Sequence, residues 1–203
     1  MINRQQLLAL IALTLMWGIN WPMMKFSLRE LSPLYFRALT MSFGALFLYS
    51  WYRARGLRML PQGPEWKSVV AIGTLMMRRA TLTLPVETLT IWMMILTACC
   101  LWVIAFVSEP WPSWQFTAPM WASLAYGAFI NYGFAQTLWA SLARNLPPAT
   151  SAMSIMAIPL IGTLSATVIV GEWPHWHDFV AIAFVMAAIA AVLLPPRSRG
   201  LPA

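Results

Sequence analysis

Arg37 lies about four residues inside a long apolar run, Leu34 to Tyr52, where a charge is costly unless it serves a function. Two readings fit it. Its guanidinium can pair with the carboxylate or phosphate of a substrate, or its long side chain can snorkel to the outer interface. The other polar groups at depth are amides and phenols: Asn20, between Trp17 and Trp21, and then Tyr126, Asn131, Tyr132 and Gln136. Amides can orient a bound solute or hydrogen-bond between helices. Trp17, Trp21 and Tyr132 can stack on an apolar or aromatic solute, although twelve Trp in one chain also serve interfacial belts and packing.

Further along, Thr150, Ser151 and Ser154 precede Pro159 and Gly162. Proline loosens a helix and small residues let neighbours approach closely, so this stretch reads either as a flexing transport helix or as plain close packing. Ala183, Ala187 and Ala191, spaced by four, make the same kind of contact face. Glu172, His175, His177 and Asp178 are the one cluster with metal-capable side chains, but Pro174 interrupts it, and we expect neither a metal nor a cofactor. No phosphate loop, nucleophile elbow, zinc-protease helix or EF-hand occurs. The six acidic residues fall nearly all between apolar runs, and enzymatic chemistry is not expected.

The elements that must position these groups are membrane spans. Of 203 residues, 60% are hydrophobic and 9% charged, with a mean hydropathy of +0.68, far too little polar surface for an ordinary soluble domain. Six runs approach the roughly 20 apolar residues that a crossing helix needs. They are Leu7 to Phe26, Leu34 to Tyr52, Thr88 to Val107, Pro119 to Leu142, Leu146 to Val170 and Phe179 to Leu194. The expected fold is therefore an all-α polytopic membrane protein with about six transmembrane helices.

The net charge of +7 does not point to nucleic acid, because the basic residues lie between apolar runs rather than along one face. Lys and Arg favour the cytoplasmic side. With the N-terminus inside, Arg4, Arg53, Arg55, Arg58, Lys67, Arg78, Arg79, Arg144, Arg197 and Arg199 all fall inside, against Lys25 and Arg29 outside. Both termini are then cytoplasmic, with residues 195–203 as a tail. The ten apolar residues Ser68 to Met77 would cover only about 15 Å as a helix, half the hydrocarbon thickness, and form a short segment that does not cross. Adjacent Cys99 and Cys100 cannot easily form an unstrained disulfide, and the first run, lacking a clear cleavage site, reads as an uncleaved span. Met23-Met24-Lys25 before Pro33 is echoed by Met76-Met77-Arg78 before Pro85, with Lys25 outside and Arg78 inside, as an inverted repeat would give.

Trp17-Gly18-Ile19-Asn20-Trp21 with Lys25, then Pro33 and Arg37, then Ala149 to Met156, Pro159, Gly162 and Gly171-Glu172, resemble in their order the EamA-type permeases of the drug/metabolite transporter superfamily. The resemblance implies a ten-helix fold of two inverted five-helix repeats that moves small metabolites or amino acids by alternating access. On that pattern this single membrane domain is incomplete. Residues 1–70 are the remnant of a first repeat and 71–194 most of a second, joined near Ala71 to Gly73, with most of helices three to six missing. The implied function is export or exchange of amino acids or other small metabolites across the inner membrane. The substrate pathway would include Trp17, Asn20, Trp21, Arg37, Tyr126, Asn131, Tyr132, Ser154 and Pro159. The expected partners are a small solute, the lipid bilayer and, in one reading, a second copy forming a homodimer; nucleic acid is not among them. A transport-incompetent remnant and a non-transporting membrane interaction protein remain as alternatives.

Overall fold

The computed structural model describes residues 3–63, 65, 66, 69, 85–146 and 156–193, and among these every regular element is helical. Of the segment Ser68 to Met77, expected not to cross, only Val69 is described, and the joint at Ala71 to Gly73 lies outside the described residues.

Helix α1 (Arg4–Ser27) starts at Asn3, whose side chain accepts the Gln5 N–H at 3.4 Å while Gln6 accepts the Asn3 N–H at 3.0 Å. These bonds satisfy donors that a first turn leaves unpaired. Helix α2 (Pro33–Ala54) opens on a proline, whose missing N–H has no helical partner there in any case. Helix α3 (Val86–Ser108) follows. Then α4 (Ala118–Ala125), a π-helical stretch (Tyr126–Ala135) and α5 (Gln136–Asn145) form one rod, because the backbone stays right-handed helical at both joins. Helices α6 (Ile158–Val170) and α7 (Trp176–Leu193) complete the described chain.

By length and composition, α1 and α3 are apolar enough to cross a membrane, with mean hydropathies of 1.6 and 2.3. The other expected spans are less uniform for visible reasons. Helix α2 carries Arg37 and Arg53, the Ala118 to Asn145 rod changes helix type midway, and the run Leu146 to Val170 is described only from Met156.

Side-chain contacts fix how the helices run past one another. Tyr126 donates to the Met16 carbonyl at 2.8 Å and Ser123 to the Met23 carbonyl at 2.5 Å, so the rod runs antiparallel to α1. Trp92 donates to the Met59 carbonyl at 2.6 Å and Trp102 to Ser42 at 3.1 Å, which sets α3 antiparallel to α2. Cβ atoms added at Gly127 and Gly44 would lie 2.7 Å from Thr40 and Tyr132, so α2 runs parallel to the rod in near backbone contact. Small residues permit that approach where no hydrophobic force separates helix from lipid.

The two ends of the bundle differ in chemistry. At one end Lys25, Arg29, Glu30, Ser32, Glu109, Thr117 and Glu172 gather, and Ser32 donates to Glu109. A run of touching rings, Phe106, Trp111, Trp114, Phe116 and Trp121, forms an aromatic rim there, as expected at a membrane interface. The opposite end carries Arg53, Arg55 and Arg58, with Arg58 bonded to Glu65 at 2.8 Å and Arg55 lying 4.6 Å from the centre of the Trp51 ring.

Candidate functional site

A cavity of 360 Å³ is lined by Trp17, Asn20, Trp21 and Met24 of α1, Arg37 of α2, Asn131 of the π stretch, and Ile158 and Pro159 of α6. Six residues singled out in the sequence thus converge from four elements: Trp17, Asn20, Trp21, Arg37, Asn131 and Pro159. Among the described residues, no carboxylate pairs with the Arg37 guanidinium. Asn20 donates to the Met24 sulfur at 3.4 Å, which holds its amide in place and leaves its carbonyl oxygen as an acceptor. Trp17 lies edge-tilted against Trp139, with ring centres 5.6 Å apart. Arg37 and Trp21 are exposed, Trp21 at 60%, so the cavity is open on one side.

The α1 and α6 walls meet through a feature that the motif reading passed over. Pro22 lies inside α1 and has no N–H, so the Gly18 carbonyl, four residues earlier, loses its helical donor. The Ser165 hydroxyl of α6 approaches that carbonyl at 3.5 Å, and Ile161 occupies the space where a Gly18 side chain would stand. A glycine four residues before a proline inside an apolar run was the available signal.

The π stretch aims the third wall. Its backbone bonds join residues five apart, as in the Gln136 N–H to the Asn131 carbonyl, so a turn takes about 4.4 residues rather than 3.6. Tyr126 and Asn131 are therefore only about 50° apart and both reach the α1 side, whereas in an α-helix they would stand about 140° apart. Tyr126 spends its hydroxyl on the Met16 carbonyl, and Tyr132 packs beside Gly44 on α2; the structure brings neither to the cavity wall. Ser154, with Thr150 and Ser151, lies outside the described residues. Pro159 falls in the first turn of α6, just after a turn at Ala157.

A second cavity, of 510 Å³, adjoins the first and shares Trp21 and Pro159 with it. Its rim holds Lys25, paired with Glu172, together with Trp173, His175 and Asp178. Gly171, at φ +76, ends α6 in a left-handed turn that a side chain would strain, and Glu172 follows it directly. The expected metal-capable cluster is dispersed in other contacts. Glu172 goes to Lys25, Asp178 accepts the His175 N–H at 2.7 Å, and His177 lies against Trp176. No group of three metal-capable side chains converges among the described residues. Cys99 and Cys100 are free and exposed.

Both partners of the Lys25–Glu172 pair are about half exposed, at 47% and 50%, so its worth is about 0.2–1 kcal/mol. Lys25→Glu and Glu172→Lys alone should each lower thermal stability slightly, and the double exchange should recover most of the loss in a double-mutant cycle. Additive losses in the double exchange would show that the pair contributes nothing.

Glu30 ties the first connecting loop to the third. The Thr117 hydroxyl, and secondly the Thr117 N–H at 2.9 Å, donate to its carboxylate and hold its pKa below the ordinary 4.5. A depressed pKa means that the clasp stabilises the fold fully above pH 4.5 and is lost as pH falls through the lowered value. A carbon-13 titration of the Glu30 carboxyl should show its midpoint below 4.5, and Thr117→Val should move it up. A midpoint unmoved by Thr117→Val would remove the hydroxyl as the cause.

The sequence profile of the EamA-like transporter family matches residues 5–76 and residues 68–194, together nearly the whole chain. No curated protein and no solved structure matches it.

Proposed function

The chain belongs to the EamA-like transporter family, and from that premise we propose that it carries small metabolites of amino-acid size across the inner membrane, by export or exchange, through the Arg37 cavity. The observation that carries this reading is the convergence of Trp17, Asn20, Trp21, Arg37, Asn131 and Pro159 on one space between α1, α2, the π stretch and α6. Arg37 supplies charge, Asn20 and Asn131 supply orientation, and the tryptophans and Pro159 supply an apolar wall. The adjoining cavity with the Lys25–Glu172 pair is the outer vestibule.

The same reading has six spans with both termini cytoplasmic. It is supported by the alternating helix directions and by the Arg53, Arg55 and Arg58 cluster at the end away from Lys25. It also has an internal deletion, with the first repeat ending and the second beginning where the two family matches overlap, at residues 68–76. Labelling that finds Arg58 and Arg78 on opposite faces of the membrane would overturn this topology.

One observation favours a second form of the reading. The cavity is open beside Trp21 and Arg37, and an inverted-repeat transporter encloses its site between two moving halves. In that form a homodimer supplies the missing cover. The test for both is reconstitution of this chain into liposomes, with uptake of pooled small solutes measured against Arg37→Ala. Flux lost on dilution, together with dissociation of a dimer, selects the homodimer. Absence of flux for every solute selects a transport-incompetent remnant or a non-transporting interaction protein.

A further inference from the structure

We propose that the Arg37 cavity selects small monoanions with an apolar body, namely monocarboxylates without an ammonium group, over zwitterionic amino acids. This narrows the transport reading above and rests on it.

The chain has six acidic residues, and all six are described. Glu30 is held by Thr117, Glu65 by Arg58, Glu109 by Ser32 and Glu172 by Lys25, while Asp178 accepts the His175 N–H. Glu87 lies in the first turn of α3, at the far end of the bundle. None of them lines the cavity around Arg37. A ligand carboxylate entering that space meets a guanidinium whose planar fork matches it, with the Asn131 amide beside it as a further donor, while the Asn20 amide nitrogen is engaged by the Met24 sulfur. A ligand ammonium finds no carboxylate there, only the neutral carbonyl oxygen of Asn20. Tryptophan faces attract cations, but Arg37 shares the same 360 Å³ and repels one. An amino acid would gain at one end and lose at the other, because a charge taken out of water needs a partner.

The remaining lining residues settle the body and the charge of the ligand. Trp17, Trp21, Met24, Ile158 and Pro159 offer an apolar and aromatic wall. A dianion such as a phosphate monoester would leave one charge uncompensated, since among the described residues Arg37 is the one cation lining this cavity and Lys25 of the neighbouring cavity is taken by Glu172.

Four probes that share a phenyl ring and differ in charge test this by calorimetry on the full chain: 3-phenylpropanoate, phenylalanine, 2-phenylethylamine and phenyl phosphate. The expected result is that 3-phenylpropanoate binds at least about ten-fold tighter than each of the others, a difference of about 1.4 kcal/mol. Arg37→Gln should lose about ten-fold or more of that affinity and Arg37→Lys less, because lysine keeps the charge and loses the fork. Asn131→Ala, which removes an uncharged lining group, gives a second variant should Arg37→Gln fail to fold. Repeating the titration in neutral and in anionic nanodiscs separates a free carboxylate from a lipid headgroup, and equal affinity is expected in both.

Phenylalanine or phenylethylamine binding as tightly as 3-phenylpropanoate would overturn the anion selectivity and leave the transport reading standing. So would phenyl phosphate binding tightest, or binding abolished by anionic lipid. If no probe binds, the selectivity is overturned, and pooled-solute uptake in liposomes then decides the transport reading separately. Folded Arg37→Gln and Asn131→Ala proteins that both bind 3-phenylpropanoate like the parent would overturn the cavity as its site.

Discussion

Arg37→Ala should lower solute flux in reconstituted vesicles by about thirty-fold or more, with the protein still folded and inserted. Removing one member of a desolvated, hydrogen-bonded charge pair costs about 2–5 kcal/mol, and the low end corresponds to that thirty-fold loss. The low end is appropriate here because the side chain is exposed beside an open cavity rather than enclosed. Folding should survive because the guanidinium makes no ion pair with a described residue, so its removal strands no internal carboxylate. The companion variant decides between the two readings of this position. Arg37→Lys keeps a cation able to reach the interface but loses the planar fork, so a substrate-binding role predicts a marked loss of affinity. An Arg37→Lys protein with the affinity of the parent would mean that the residue only snorkels.

Gly18→Leu should be the most damaging single change to the fold. A Cβ at this position would already overlap the Ile161 side chain, and it would come within 3.3 Å of the Gly162 backbone N. The larger side chain must therefore push α6 away from α1. Overpacking in a filled core costs typically about 1–3 kcal/mol, and here the obstacle includes backbone, which cannot rotate aside. Separation would also move the Ser165 hydroxyl, which lies 3.1 Å from the Gly162 carbonyl and 3.5 Å from the Gly18 carbonyl, away from the carbonyl that Pro22 cannot bond. Thermal unfolding in detergent should shift down by several degrees and flux should disappear, because α1 and α6 form adjoining walls of the Arg37 cavity. Ile161→Ala in the Gly18→Leu background makes room and should restore part of both. Unchanged thermal stability in the single variant would mean that the helices are not in contact.

The helices themselves were legible in the sequence because a backbone in hydrocarbon must satisfy its own amides, which makes a long apolar run a helix almost by necessity. The described helices α1, α2 and α3 follow the runs Leu7 to Phe26, Leu34 to Tyr52 and Thr88 to Val107 within a few residues. Polar residues inside such runs were equally visible, since burying them is costly without a purpose, and this is why Asn20, Arg37 and Asn131 could be named in advance.

Which of those residues meet was decided by tertiary structure. Asn131 and Tyr132 are neighbours of similar polarity, yet one lines the cavity and the other packs beside Gly44. That choice depends on how far the rod is rotated, and the rotation is set by the π stretch, whose five-residue bonding leaves no mark in a pattern read at 3.6 residues per turn. The Lys25–Glu172 pair and the seating of Ser165 at the Gly18 carbonyl each join positions 147 residues apart. Their types can be read along the chain, with Lys25 and Glu172 at helix ends and Gly18 and Ser165 within helices. Their contact exists only because α1 and α6 lie side by side, and chain order carries no record of that packing.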